Sequence, residues 1–138
     1  MQPGRNWWRQ ANHDFAHARL SLARGAHDWA AQAAQQAAER ALKALLIAGG
    51  EVPPRSHDLP TLLRQARKTG LIGRALDRRK ADLAMLSQLQ IAARYPLGED
   101  QAPPMDSIPA KQARAATATA RAVLMAVAKV LGSDDEPA

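Results

Sequence analysis

Six small apolar residues, Ala113, Ala116, Ala120, Val123, Val127 and Val130, follow one another at steps of three and four. That spacing sets them on one face of a single α-helix of about five turns, and such a stripe must be covered by other elements. A strand needs a period of two, and no run of alternating β-branched residues occurs in the chain. The same helical rhythm recurs upstream. From Asn6 to Arg24, Trp8, Ala11, Phe15, Ala18 and Leu22 draw one stripe, which Gly25 stops. The alanine-rich segment 28–50 follows, with Asp28 expected as its cap and Gly49-Gly50 and Pro53-Pro54 as its end.

Two further helices read from the middle of the chain. "SHDLPTLLRQARKTG" offers Ser56 or Asp58 as a cap, tolerates Pro60 in its first turn and carries Leu59, Leu62, Leu63 and Ala66 before Gly70. From about Arg74 to Ala93, Leu76, Leu83, Leu86 and Ala93 share a face, with Ile72 just ahead and Pro96 as the break. Ser107 is the expected cap of the last helix, with Pro109 in its first turn and Gly132 at its end. The expected fold is all-α: an up-and-down four-helix bundle with an additional short helix, one domain over residues 5–132, followed by a disordered acidic tail over 133–138, "SDDEPA".

A chain of 138 residues with 46% hydrophobic composition can bury one core without disulfides or metals. It has no cysteine, which excludes disulfides and thiolate zinc sites and suits a reducing, cytoplasmic setting. The opening "MQPGRNWWRQ" has no apolar run of the signal-peptide kind, and nowhere do about 18 apolar residues follow one another, so no membrane association is expected. The net charge of +6 favours phosphate-bearing partners. Arginine supplies 14 of the 19 basic residues, a bias that a GC-rich genome would also produce.

Within the apolar segment 28–50, Gln32, Gln36, Glu39 and Lys43 fall within about 60° of one another at 100° per residue. Two readings account for this line. It is either the helix's exposed edge, supported by a Glu39 to Lys43 pair, or one wall of a cleft that reads a polar ligand or registers a partner. A second signal lies at 64–80, where Arg64, Arg67, Lys68, Arg74, Arg78, Arg79 and Lys80 meet a single acid, Asp77. Such a segment is either a solvated arginine-rich face or a patch that binds the phosphates of RNA or a nucleotide, or an acidic protein surface. "HDFAH" spaces His13 and His17 like a zinc-binding pair, but Asp14 stands where the motif has glutamate, and the pair faces away from the apolar stripe. No metal and no cofactor is expected.

The segments "QAAERALKAL" (36–45), "HDL" (57–59), "RYP" (94–96) and the opening "WWRQANHDFAHARL" resemble, as an ordered set, the HEPN domain. The resemblance covers almost everything from Trp7 to Val130. It implies a homodimer of helical bundles, often encoded beside a minimal nucleotidyltransferase in toxin–antitoxin pairs, and in many branches a metal-independent ribonuclease. Those ribonucleases carry an arginine followed after four to six residues by a histidine. Arg94 stands near the right place, but no histidine follows His57, and no earlier arginine has one at that separation. Histidine moves protons near neutral pH and arginine cannot, so the family's catalytic route lacks its base here.

Arg94 therefore reads either as a cap for its helix C-terminus, with Tyr95 packed under the loop, or as an anion binder. His57 reads as a turn-fixing side chain or as a substitute base. The functional expectation is a non-catalytic module that binds a nucleotide, an RNA phosphate or a nucleotidyltransferase-like protein. A ribonuclease toxin with a diverged site and a structural dimeric adaptor are the alternatives.

Overall fold

The computed structural model describes residues 3–132; the expected tail at 133–138 lies outside the described residues. Among the described residues, six α-helices run in the order α1 (Arg5–Ala23), α2 (His27–Ala48), α3 (Leu59–Lys68), α4 (Lys80–Ala92), α5 (Pro104–Ser107) and α6 (Ala110–Leu131), with a 3₁₀ turn at Asp77–Arg79 leading into α4. No strand occurs among the described residues, and the only ladder-like pairing among them is a single bridge between Leu97 and Ala102. The expected all-α bundle is the observed one. Its four long helices are α1, α2, α4 and α6, and α3 and the one-turn α5 are the short additions.

Helix α2 is the central element and packs against α1, α3, α4 and α6. Its composition explains that position. Ala30, Ala31, Ala34, Ala37, Ala38, Ala41 and Ala44 are all buried, and small side chains let neighbouring helices approach on several sides of one axis. Leu42, Leu45 and Leu46 fill the main core with Trp8, Phe15, Leu62, Leu83 and Val123. A satellite cluster of Ala30, Ala31, Ala93, Ile108 and Ala113 ties the start of α2 to the end of α4 and the start of α6.

The α1 and α2 C-termini close in the same way. Gly25 takes φ 78°, the Ala26 amide donates to the Ser21 carbonyl and the Gly25 amide to Leu22, a Schellman closure that turns the chain back into α2. Gly50 repeats it, with Glu51 donating to Leu46. At the other end of α1, Gly4 holds φ 86°, and a Cβ there would lie 2.5 Å from the Ala44 carbonyl oxygen. Gly4→Ala is therefore expected to cost about 2 kcal/mol from the left-handed backbone alone, and more from displacing α2, read as a lower denaturant midpoint.

Three local expectations are corrected. Ser107 does not cap the last helix: it ends α5, where its hydroxyl donates to the Pro103 carbonyl, and α6 starts at Ala110. Pro109 takes the cap position in an extended conformation, without a side-chain bond, and its fixed φ suits the entry to a helix. The fourth helix begins at Lys80, because residues 70–79 make successive turns around Gly70 and Gly73, both with positive φ. Asp28 lies in the first turn of α2 and gives no capping hydrogen bond; Ala26 holds the cap position. Asp58 caps α3 as expected, accepting from the Thr61 amide at 3.1 Å and its hydroxyl at 2.7 Å.

Candidate functional site

The polar line on α2 divides into two groups. At one end, Gln32 donates from Nε2 to the Ala93 carbonyl at 2.9 Å and so satisfies a carbonyl left open at the end of α4. This places Gln32 beside Arg94 in a groove of about 350 Å³ that Asp28, Trp29, Pro103 and Met105 also line. Arg94 does not cap α4 with its side chain: it is exposed and meets no acid among the described residues. Tyr95 is 57% exposed rather than packed under the loop, because residues 95–101 of that loop are all exposed and offer it no enclosed space. The exposed indole of Trp29, 58% accessible, stands on the same rim.

At the other end, Glu39, Lys43 and His57 converge. The Lys43 ammonium lies 3.1 Å from Glu39 Oε2, and His57 Nδ1 lies 3.1 Å from each oxygen of the same carboxylate. Lys43 is only 6% exposed and its Nζ sits 6.0 Å from the centre of the Trp7 ring, so the exposed-edge reading of the line fails at this residue. Beneath them Gln35, 1% exposed, donates to the His57 carbonyl at 2.9 Å. These bonds fasten the loop ahead of α3 to α2 and thereby set the direction in which α3 leaves.

Gln36 lies half-buried between the groups. At 1.5 Å per residue, Lys43 stands about 16 Å along α2 from Gln32. The structure brings Gln32 to Arg94 and Glu39 and Lys43 to His57; it does not bring Arg94 to His57.

The basic segment 64–80 is partly neutralised. Arg67 pairs with Asp77 at 3.3 Å, Arg79 reaches Asp82 at 3.5 Å and Arg64 donates to the Thr61 hydroxyl at 3.2 Å. Lys68, Arg74, Arg78 and Lys80 have no acid partner among the described residues and are spread from the end of α3 to the start of α4. His13 and His17 both lie on α1, and among the described residues no three His, Asp or Glu side chains converge as a metal cluster would require.

Sequence reasoning missed Trp7, Trp29, Gln35, Asp14 and Arg40. Asp14 is buried and both its oxygens are occupied: Arg40 Nη1 lies 2.5 Å from Oδ2, and Gln10 donates to Oδ1 at 2.9 Å. A carboxylate immediately before the core residue Phe15 is the one available signal. Nothing in the spacing of residues 14 and 40 announces that they meet.

The result is a helical bundle built on one central alanine-rich helix, with polar groups gathered where its two ends meet the neighbouring loops. The HEPN domain pattern matches residues 5–130, and the chain belongs to the HEPN domain family. Among solved structures it is similar to TT1696 from Thermus thermophilus, at 32% identity and a TM-score of 0.80, over 94% of this chain and 98% of that one. No curated protein sequence matches it.

Proposed function

We propose that this protein is a non-catalytic HEPN binding module whose ligand is a nucleotide or a nucleotide unit of RNA, held in the groove between the start of α2 and the end of α4. One observation carries this reading: an exposed indole, Trp29, and an exposed guanidinium, Arg94, with no acid partner among the described residues, share a groove with the polar side chains of Asp28 and Gln32. An indole face stacks any nucleobase, a guanidinium fork matches phosphate, and a carboxylate accepts from a ribose hydroxyl or an exocyclic amine. The groove also adjoins the N-terminus of the 22-residue α2, whose free amides favour a nearby anion.

The non-catalytic part of the reading is supported by the position of His57. It is engaged with Glu39, about 10 Å along α2 from Gln32, and so stands away from a phosphate held on Arg94. As in HEPN proteins of toxin–antitoxin pairs, the module would work as a homodimer beside a nucleotidyltransferase-like protein.

Titration of AMP, followed through tryptophan quenching, tests the groove. Arg94→Ala is expected to weaken binding about tenfold or more, the loss of one charge-assisted phosphate contact, and unchanged affinity would refute the site. Incubation with labelled RNA tests the rest: cleavage that disappears in Arg94→Ala or His57→Ala would identify an enzyme instead. If the cations of 68–80 assist an RNA strand, log affinity falls linearly with log salt, and a flat response removes them from the interface.

A further inference from the structure

Helices α4 and α6 both pack on α2 but touch each other little, and a cleft of about 280 Å³ opens between them, built from different residues than the Arg94 groove. Asp82, Met85, Leu86 and Leu89 stand at steps of three and four on the α4 wall, and Gln112, Ala115, Ala116 and Thr119 do so on the α6 wall. Short alanines on one side leave space that longer side chains would fill. Ala93, just past α4, and Ala113, at the start of α6, lie together in the satellite cluster, so the two helices run antiparallel. Lys111 and Gln112 therefore stand at the Leu89 end of the cleft. Thr119 shares the other end with Asp82, about 12 Å from Lys111 along α6.

One side chain points to a ligand. Thr119 is only 4% exposed, yet its hydroxyl finds no hydrogen-bond partner among the described residues. A helical threonine commonly bonds the carbonyl four residues back, as Thr117 does to Ala113 at 2.9 Å. At 100° per residue Thr119 falls within about 20° of Gln112 and between Ala115 and Ala116, so it faces the middle of the cleft it lines. That cleft is where the hydroxyl can be satisfied.

The two ends differ in charge. Lys111 is exposed and meets no acid among the described residues, and the open amides of the first turn of α6 add to the positive end. At the other end Asp82 gives one carboxylate oxygen to Arg79 at 3.5 Å and keeps the second. An anionic group therefore belongs at Lys111, and a neutral hydroxyl beside Thr119 and Asp82, where a second anion would be repelled. Between them Leu86 and Ala116 make an apolar floor, and the flexible Met85, 61% exposed, can adapt to what lies on it. A partner helix, about 10 Å across, is too wide for a cleft of this volume, and a phosphodiester strand would bring charge to the Asp82 end.

We propose that this cleft binds an elongated aliphatic carboxylate that carries a hydroxyl at its far end. Lys111 and Gln112 receive the carboxylate, the chain lies on Leu86 and Ala116, and the hydroxyl donates to Asp82 while accepting from Thr119.

The test is calorimetric titration of the full chain with ω-hydroxydecanoate and with decanoate, which lacks the hydroxyl. Thr119→Val keeps the side-chain shape and is expected to weaken ω-hydroxydecanoate about fivefold, the loss of one hydrogen bond, while leaving decanoate unchanged. Lys111→Gln is expected to weaken both about tenfold. Ala115→Trp, at an exposed position, is expected to abolish binding of both by filling the cleft. Arg94→Ala leaves both affinities unchanged and AMP displaces neither ligand, which keeps this result separate from that of the nucleotide groove. Failure of ω-hydroxydecanoate to bind, equal affinity of wild type and Thr119→Val for it, or equal weakening of both ligands by Thr119→Val would overturn the proposal. So would sedimentation showing a dimer that Ala115→Trp dissociates, since a second copy would then cover the cleft.

Discussion

Glu39→Ala is expected to lower the unfolding free energy by about 3 kcal/mol, more than surface ion pairs contribute, because it strands a charge the fold has nearly enclosed. Lys43 is buried to 6% exposure, its only carboxylate partner among the described residues is Glu39, and the Trp7 ring lies 6.0 Å away. Without Glu39 the ammonium must find water by moving the α1 contact aside or remain unpaired, and each route is unfavourable. The double variant Glu39→Ala with Lys43→Met is expected to recover much of that loss, since an apolar side chain of similar length removes the stranded charge. Urea unfolding of the two variants against wild type measures both steps. Equal stability of Glu39→Ala and wild type would mean that water already reaches Lys43. The His57 side of the cluster contributes little, because its imidazole is 71% exposed.

Trp8→Ala is expected to have the largest effect of any single truncation here, about 3 to 5 kcal/mol. Trp8 is completely buried, is the bulkiest member of the main core, and sits in the part of α1 that Gly4 brings against the end of α2. The alanines of that core have no rotamers with which to collapse into a void. A stable domain has roughly 5 to 15 kcal/mol in hand, so the variant is expected to melt near or below room temperature or to lose cooperativity. Calorimetry would show this as a much lower, broadened transition. A fall of less than about 1 kcal/mol would mean that α1 repacks to fill the space.

Much of the fold is legible in the sequence because helices announce themselves locally. The stripes at 8–22 and 113–130 and the turn glycines at 25, 49, 50 and 132 correspond to α1, α6 and the observed helix ends. The corrections fall where competing local signals are nearly equal in strength. Ser107 and Pro109 both suit a helix start, and the choice between them turns on the one-turn α5, which depends on Ile108 finding the satellite core. The spacing starts α4 too early because Leu76 shares its face and is buried, although it reaches the core from a turn rather than from the helix.

The candidate sites divide in the same manner. By itself the sequence determined that the chain is helical, where the helices stop, that α2 carries an aligned set of polar residues, and that a histidine at the family's spacing from Arg94 is missing. Those properties depend on spacing along one chain segment. Only the tertiary structure decided that Lys43 is enclosed rather than exposed, that Gln32 belongs with Arg94 while Glu39 belongs with His57, and that Asp14 holds Arg40 across α1 and α2. Most of these are contacts between residues far apart in sequence. Their free energy depends on burial and on the geometry between helices, quantities that no periodicity within a single helix encodes.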